Sequence, residues 1–313
     1  MCEALSSQHD HRTGVASALA AVAVLSPDSL IVRTVGAPDE VVLLWRGGLV
    51  AVAMLAITWR RGDIGTRWRA AGVGAVVAGC CWALATILFV YSVRRTEVAN
   101  TLVIVGAGPV FAATIERVAL RERIPLRTWL ASGGVAIGLA WIFAGSAGRG
   151  SVAGDAAALA GSLAFATFLT LLRRGRGTDM TPALIAGGAV TAAVALASGG
   201  GTVPSARDAA LLATLGLAIL PASLLLTVQA ARRIRAAEVA LLGRLETVLG
   251  PLWVWLVLGD APPADVVAAG ALIVAVTSAH SVVALRAEAR EVSAAGGAAR
   301  AAAASADVVD VDG

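Results

Sequence analysis

Apolar residues along this chain come in about ten blocks, each roughly long enough to cross a bilayer. Polar breaks, most of them carrying arginine, separate the blocks. A span needs about 20 mostly apolar residues, and only a helix or a closed barrel satisfies its backbone in lipid. The runs are continuous rather than alternating, so they predict helices. The expected spans are roughly 14–33, 39–58, 71–92, 98–120, 127–145, 152–172, 181–199, 209–230, 237–258 and 265–285. The expectation is an all-α polytopic membrane protein of ten transmembrane helices in two inverted five-helix repeats. Residues 1–13 form a cytoplasmic N-terminus, 14–145 the first repeat, 152–285 the second, and 286–313 a disordered cytoplasmic tail. The polar start MCEALSSQHDHR lacks a short apolar stretch followed by a small-residue cleavage site, so no signal peptide is expected.

Composition agrees with the pattern: 58% of residues are hydrophobic and 15% charged. A soluble fold of 313 residues has too little polar covering for that much apolar surface. Charge then sets orientation. All 25 basic residues are Arg. With the N-terminus inside, 18 of them fall on inside segments, 5 on outside ends, and Arg46 and Arg244 within spans. Positive charge is retained on the cytoplasmic side, so this bias supports an even span count with both termini in the cytoplasm of a plasma (inner) membrane. The net charge of +4 reports orientation, and no clustered soluble patch exists for nucleic acid. Cys2, Cys80 and Cys81, with His9, His11 and His280, make neither a disulfide framework nor a metal spacing. No cofactor is implied.

The chain also repeats. Gly14, Arg33 and Gly47-Gly48 match Gly154, Arg173 and Gly187-Gly188 at an offset of 140. Further on, Arg94-Arg95 matches Arg232-Arg233 and Glu122 matches Asp260 at an offset of 138, with Leu88 and Val90 over Leu226 and Val228. Five spans per half is an odd number, so the halves would enter the membrane from opposite sides. Inverted repeats of this kind typify secondary transporters, although duplication alone builds many membrane proteins.

The block EVANTLVIVGAGPVFAATIERVALRERIPLRTWLASGGVAIGLAWIFAG at 97–145 resembles the fourth and fifth spans of EamA-type permeases of the drug/metabolite transporter superfamily. Pro109, Glu122 and Gly133-Gly134 sit where those proteins carry a Pro, a Glu and a small-residue-rich fifth span. LETVLGPLWVWLVLGDAPPADVVAAGALIVA at 245–275 is similar to the same pattern, with Asp260 in place of the usual Glu and Thr247 where a Pro is common. LSPDSLIVR (25–33) and LWRGGL (44–49) also resemble one branch of the family. The resemblance implies ten helices, alternating access and a substrate path between the halves, with the fifth and tenth spans peripheral.

Ionisable groups inside a bilayer are costly and point to a pathway or a pair. Arg46, Glu116, Arg244 and Glu246 fall inside expected spans, and Asp28 lies near an outer end where hydration would suffice. Glu246 is ~13 Å from the inner end of its span and Arg46 ~10 Å from the outer end of its own, from ~1.5 Å per residue. Their long side chains could meet or flank one substrate. Arg244 lies nearer the depth of Glu116, which suggests a second pair. Two readings stay open: mutually neutralising structural bridges, or substrate and proton groups. In the second, Arg46 could hold a carboxylate and Glu246 a proton or an amine. Trp82, Tyr91, Asn100 and Gln229 are further cavity candidates, each with helix packing or interface anchoring as the alternative.

The expected function is a secondary transporter of small polar metabolites, an exporter by family resemblance, with a small-molecule substrate, the lipid bilayer and proton coupling as its partners. No GxxxxGK[ST] motif provides for ATP. The alternatives are an intramembrane enzyme, which would need paired acid and base or metal ligands inside the spans, and a structural or sensor protein, against which the short loops argue.

Overall fold

The apolar blocks fold as helices. The computed structural model describes residues 2–62, 64–108, 111, 114–115, 130–131, 133–138, 140–141, 144, 151–175, 178–231, 233, 242–243, 245–276, 278–279, 282–283 and 286, and no strand occurs among them. The helices are α1 (Cys2–Leu25), α2 (Asp28–Thr34), α3 (Asp39–Arg60), α4 (Ile64–Arg95), α5 (Val98–Gly106), α6 (Val152–Arg174), α7 (Thr181–Ala197), α8 (Ala206–Thr214), α9 (Leu220–Ala231), α10 (Glu246–Leu258) and α11 (Ala264–Val276). A π-helical turn, Leu215–Ile219, joins α8 to α9. Among the described residues, five segments are long and apolar enough to cross a membrane: Arg12–Thr34, Asp39–Arg60, Ile64–Arg95, Val152–Leu172 and Ala206–Thr227. Three shorter apolar helices are Thr181–Ala197, Val248–Leu258 and Ala264–Val276.

Local chemistry sets the boundaries. α1 continues through the polar first residues that hydropathy leaves outside a span. Pro27, which lacks an N–H, separates α1 from α2. Pro38 precedes α3, and Asp39 and Glu40 occupy its first turn, where the helix dipole favours acids. Gly72 adopts φ 56° and ψ −154° inside α4, a conformation open to glycine, and so divides a short leading helix from the span expected to begin at 71. Ser205 caps α8 by accepting a 3.2 Å hydrogen bond from the Asp208 N–H.

The bundle closes on small residues. α4 packs on α6 and α7, α3 on α7, α1 on α9, and α5 on α6 and α10. At the α3–α7 crossing a Cβ on Gly47 would lie 2.6 Å from Thr191, and one on Gly188 would lie 2.5 Å from the Gly47 carbonyl oxygen. Only glycine lets these backbones approach so closely. Large apolar side chains face outward, among them Trp59, Val73, Leu130, Ile137 and Leu256. Such a belt is costly in water and suits lipid. The chain is a multi-pass membrane protein.

Candidate functional site

The break in the first span positions the centre of the bundle. Just after Pro27, Asp28 meets Arg46 of α3, and the two form a bidentate ion pair whose second bond, Nη2 to Oδ2, is 2.7 Å. The side chains keep 7% and 5% of their surface accessible. The Arg46 guanidinium also lies 5.4 Å from the centroid of the Phe89 ring on α4. Its Nε–H is buried with no hydrogen-bond partner among the described residues. Sequence reasoning left Asp28 in a hydrated outer position. The break at Ser26-Pro27 instead turns it inward, where Arg46 neutralises it.

Glu246 opens α10 beside this pair, close enough that Asp28 repels its carboxylate and Arg46 attracts it. Its side chain is half-buried. The site is walled on the α10 side by Gly250, where an added Cβ would meet Leu102 and the Ser29 hydroxyl, and by Trp253, whose Nε1–H donates to Ser26 Oγ at 2.9 Å. The first, second, third and ninth expected spans thus supply one cluster of two carboxylates, one guanidinium, hydroxyls and aromatic rings.

The other expected residues fall elsewhere. Asn100 is buried beside Asp155 of α6, donating to both carboxylate oxygens at 3.4 Å, and Thr96 Oγ1 donates to Asp155 Oδ1 at 2.7 Å. The fully buried Asp155 is a group that sequence reasoning passed over, although a lone acid inside an apolar run was its signal. Tyr91 stacks under Arg95, 3.9 Å from ring centroid to guanidinium carbon. Trp82 packs in the core where α4 meets α7. Gln229 is exposed and accepts from Ser17 Oγ at 3.5 Å. Glu116 and Arg244, expected as a second pair, lie outside the described residues.

Ion pairs also fasten both ends of the bundle. On the face where the chain starts, Arg67 bonds Asp179, which accepts from the Thr181 N–H at 3.0 Å and its hydroxyl at 2.6 Å. Burial alone would raise the Asp179 carboxyl, but the Thr181 bonds and the Arg67 guanidinium outweigh it and hold it below the ordinary aspartate value. On the opposite face Asp39 pairs with Arg94 at 2.7 Å and Arg95 at 2.5 Å. Arg33 donates to the Val93 carbonyl at 3.0 Å and Arg94 to that of Val35 at 3.2 Å.

Comparison with known proteins bears on the family and the fold. Residues 13–144 match the model of the EamA-like transporter family. No curated protein sequence matches the chain. A solved structure described as "Crystal structure of protein" is similar to 87% of this chain and 98% of its own, with a TM-score of 0.61 and 17% identity, which shows a shared fold.

Proposed function

Because the chain carries an EamA-like transporter family domain over residues 13–144, we propose that it is a secondary transporter of small polar metabolites that works by alternating access. The carrying observation is the charged cluster of Asp28, Arg46 and Glu246, gathered from three separated stretches of chain inside a mostly apolar helical bundle. Burying charge in a membrane protein is costly, and a cavity that must dehydrate and hold a polar solute is what the cost supports. Both terminal nitrogens of Arg46 are committed to Asp28, so the cluster presents one uncompensated carboxylate, Glu246. That charge favours the ammonium of an amine-bearing solute or a proton, and the buried Nε–H of Arg46 offers one donor to a substrate oxygen.

Two inverted five-helix units, 14–145 and 152–285, are the architecture we assign. Helix packing supports it: under the repeat, α4 on α6 and α9 on α1 are equivalent contacts, and α3 on α7 and α5 on α10 are self-equivalent. The arginine bias supports a cytoplasmic position for the face bearing the N-terminus, in a plasma membrane, and export is the direction family resemblance suggests. Arg244 and Glu116 stay candidates for the pathway. Purified protein in proteoliposomes, given a panel of radiolabelled amines, amino acids, carboxylates and nucleosides with and without a proton gradient, tests the reading. Uptake of an amine-bearing solute is expected. Absence of flux for every class across both gradient directions would overturn it.

A further inference from the structure

Two more pairs of residues obey the repeat offset of 140: Asp39 with Asp179 and Arg67 with Arg207. Arg95 matches Arg233 at 138. The equivalent residues sit at equivalent junctions on opposite faces. On the N-terminal face the α6–α7 connection meets the α3–α4 connection, and there Asp179 bonds Arg67. On the opposite face the α2–α3 connection meets the segment leading into α8: a Cβ on Gly36 would lie 3.7 Å from Asp208 Oδ2, and one on Gly200 would lie 2.7 Å from the Glu40 carbonyl oxygen. Yet here the symmetry fails. Asp39 turns to Arg94 and Arg95 of its own half, and Arg207 is exposed with no ion pair among the described residues. Among the described residues Arg233, the counterpart of Arg95, donates to the carbonyl of Gln229 in its own turn, at 3.4 Å.

We propose that Asp39 and Asp179 are the two halves of an alternating latch. In the state described, Asp179 locks the halves together on the N-terminal face through Arg67, and Asp39 is parked within its own half. In the opposite state Asp39 swings to Arg207 and locks the other face, while Asp179 leaves Arg67 and is parked on Arg233. The exchange follows from equivalence: when inverted halves trade conformations, each residue takes up the contacts its counterpart had. One ion pair across the halves is kept in either state, so neither face is favoured by charge alone.

The inference rests on the inverted-repeat transporter reading, and crosslinking separates the two. In full-length protein with Cys2, Cys80 and Cys81 replaced by Ser, the pair Asp39→Cys and Arg207→Cys is treated in liposomes with a short bifunctional thiol reagent. Adding Asp179→Asn should raise crosslinking about two- to fivefold, the population shift that loss of one partly exposed ion pair produces. Conversely, in the Arg67→Cys and Asp179→Cys protein, Arg207→Gln should raise crosslinking by a similar factor. Size-exclusion profiles in detergent verify that each variant is folded. Crosslinking left unchanged or lowered by the remote charge change, Asp179→Asn for the 39–207 pair or Arg207→Gln for the 67–179 pair, overturns the latch. Reciprocal crosslinking in protein that moves no solute would support the latch and count against transport.

Discussion

The two halves of this chain share their packing glycines and differ in their charges. Gly47-Gly48 and Gly187-Gly188 occupy equivalent positions, and the first Gly of one pair meets the second of the other at the α3–α7 crossing. One residue before the first pair stands Arg46, and one before the second stands Ala186. Asp28, the partner of Arg46, has Phe168 as its counterpart, and Phe168 lies in an apolar core. Close backbone approach is therefore a requirement of both halves, whereas the buried ion pair belongs to one. Under the repeat proposed above, duplication would supply the bundle. Divergence of single side chains within it supplied a polar centre.

The comparison is broken most severely at the ion pair. Asp28→Ala leaves the Arg46 guanidinium buried without its counter-charge and should destabilise the protein by about 3–5 kcal/mol, seen as a large fall in melting temperature in detergent. The double change Asp28→Leu with Arg46→Met, which makes the first half resemble the second, should recover most of that stability and still not restore flux. Gly188→Val tests the shared element. Its side chain would enter the Gly47 carbonyl, and an overpacking cost of about 1–3 kcal/mol is expected, with Gly47→Val costing a similar amount because both sit at the same crossing. Unequal costs would show that the two helices do not yield equally at this crossing. Glu246→Gln changes charge with little change in shape. It should leave the melting temperature nearly unmoved and abolish flux of an amine-bearing solute, and normal flux would remove Glu246 from the pathway.

The smallest effect concerns acid. Asp179 is held below the ordinary aspartate value, so its bond to Arg67 contributes fully at neutral pH and fades only as pH falls through that lowered value. Reagent crosslinking of residues 67 and 179 removes the carboxylate, so the check is thermal stability of the wild type against Asp179→Asn between pH 7 and about pH 4. The difference between the two should be constant over most of that range and shrink only at its acid end.

Much of the fold is legible along the chain. Blocks of about 20 apolar residues cannot be anything but buried or lipid-facing, and Pro27, Pro38, Gly72 and Pro182 mark ends or breaks whose cause is local: a missing N–H, a fixed φ or a left-handed φ. The extra helical turns at residues 2–11 were not legible, because hydropathy reports membrane thickness and says nothing about a helix that continues past it. Arg46 and Glu246 stood out because a charge inside an apolar run is costly wherever it points. Their partners did not. Asp28 is 18 residues from Arg46, near a span end where water is an equally good solution, and only the turn at Ser26-Pro27 decides that it faces inward.

Sequence by itself therefore determined the solvent of this protein, its helical class and which charges demand an explanation, because those depend on the transfer energy of each residue or short block. Tertiary structure alone decided that Arg46 is neutralised by Asp28, that Glu246 stands beside the pair, and that Asp179 meets Arg67 while Asp39 stays with Arg94 and Arg95. Pairing depends on which faces of distant helices meet. That is set by the fit of glycines and bulky side chains at the crossings, a property no single stretch of chain contains.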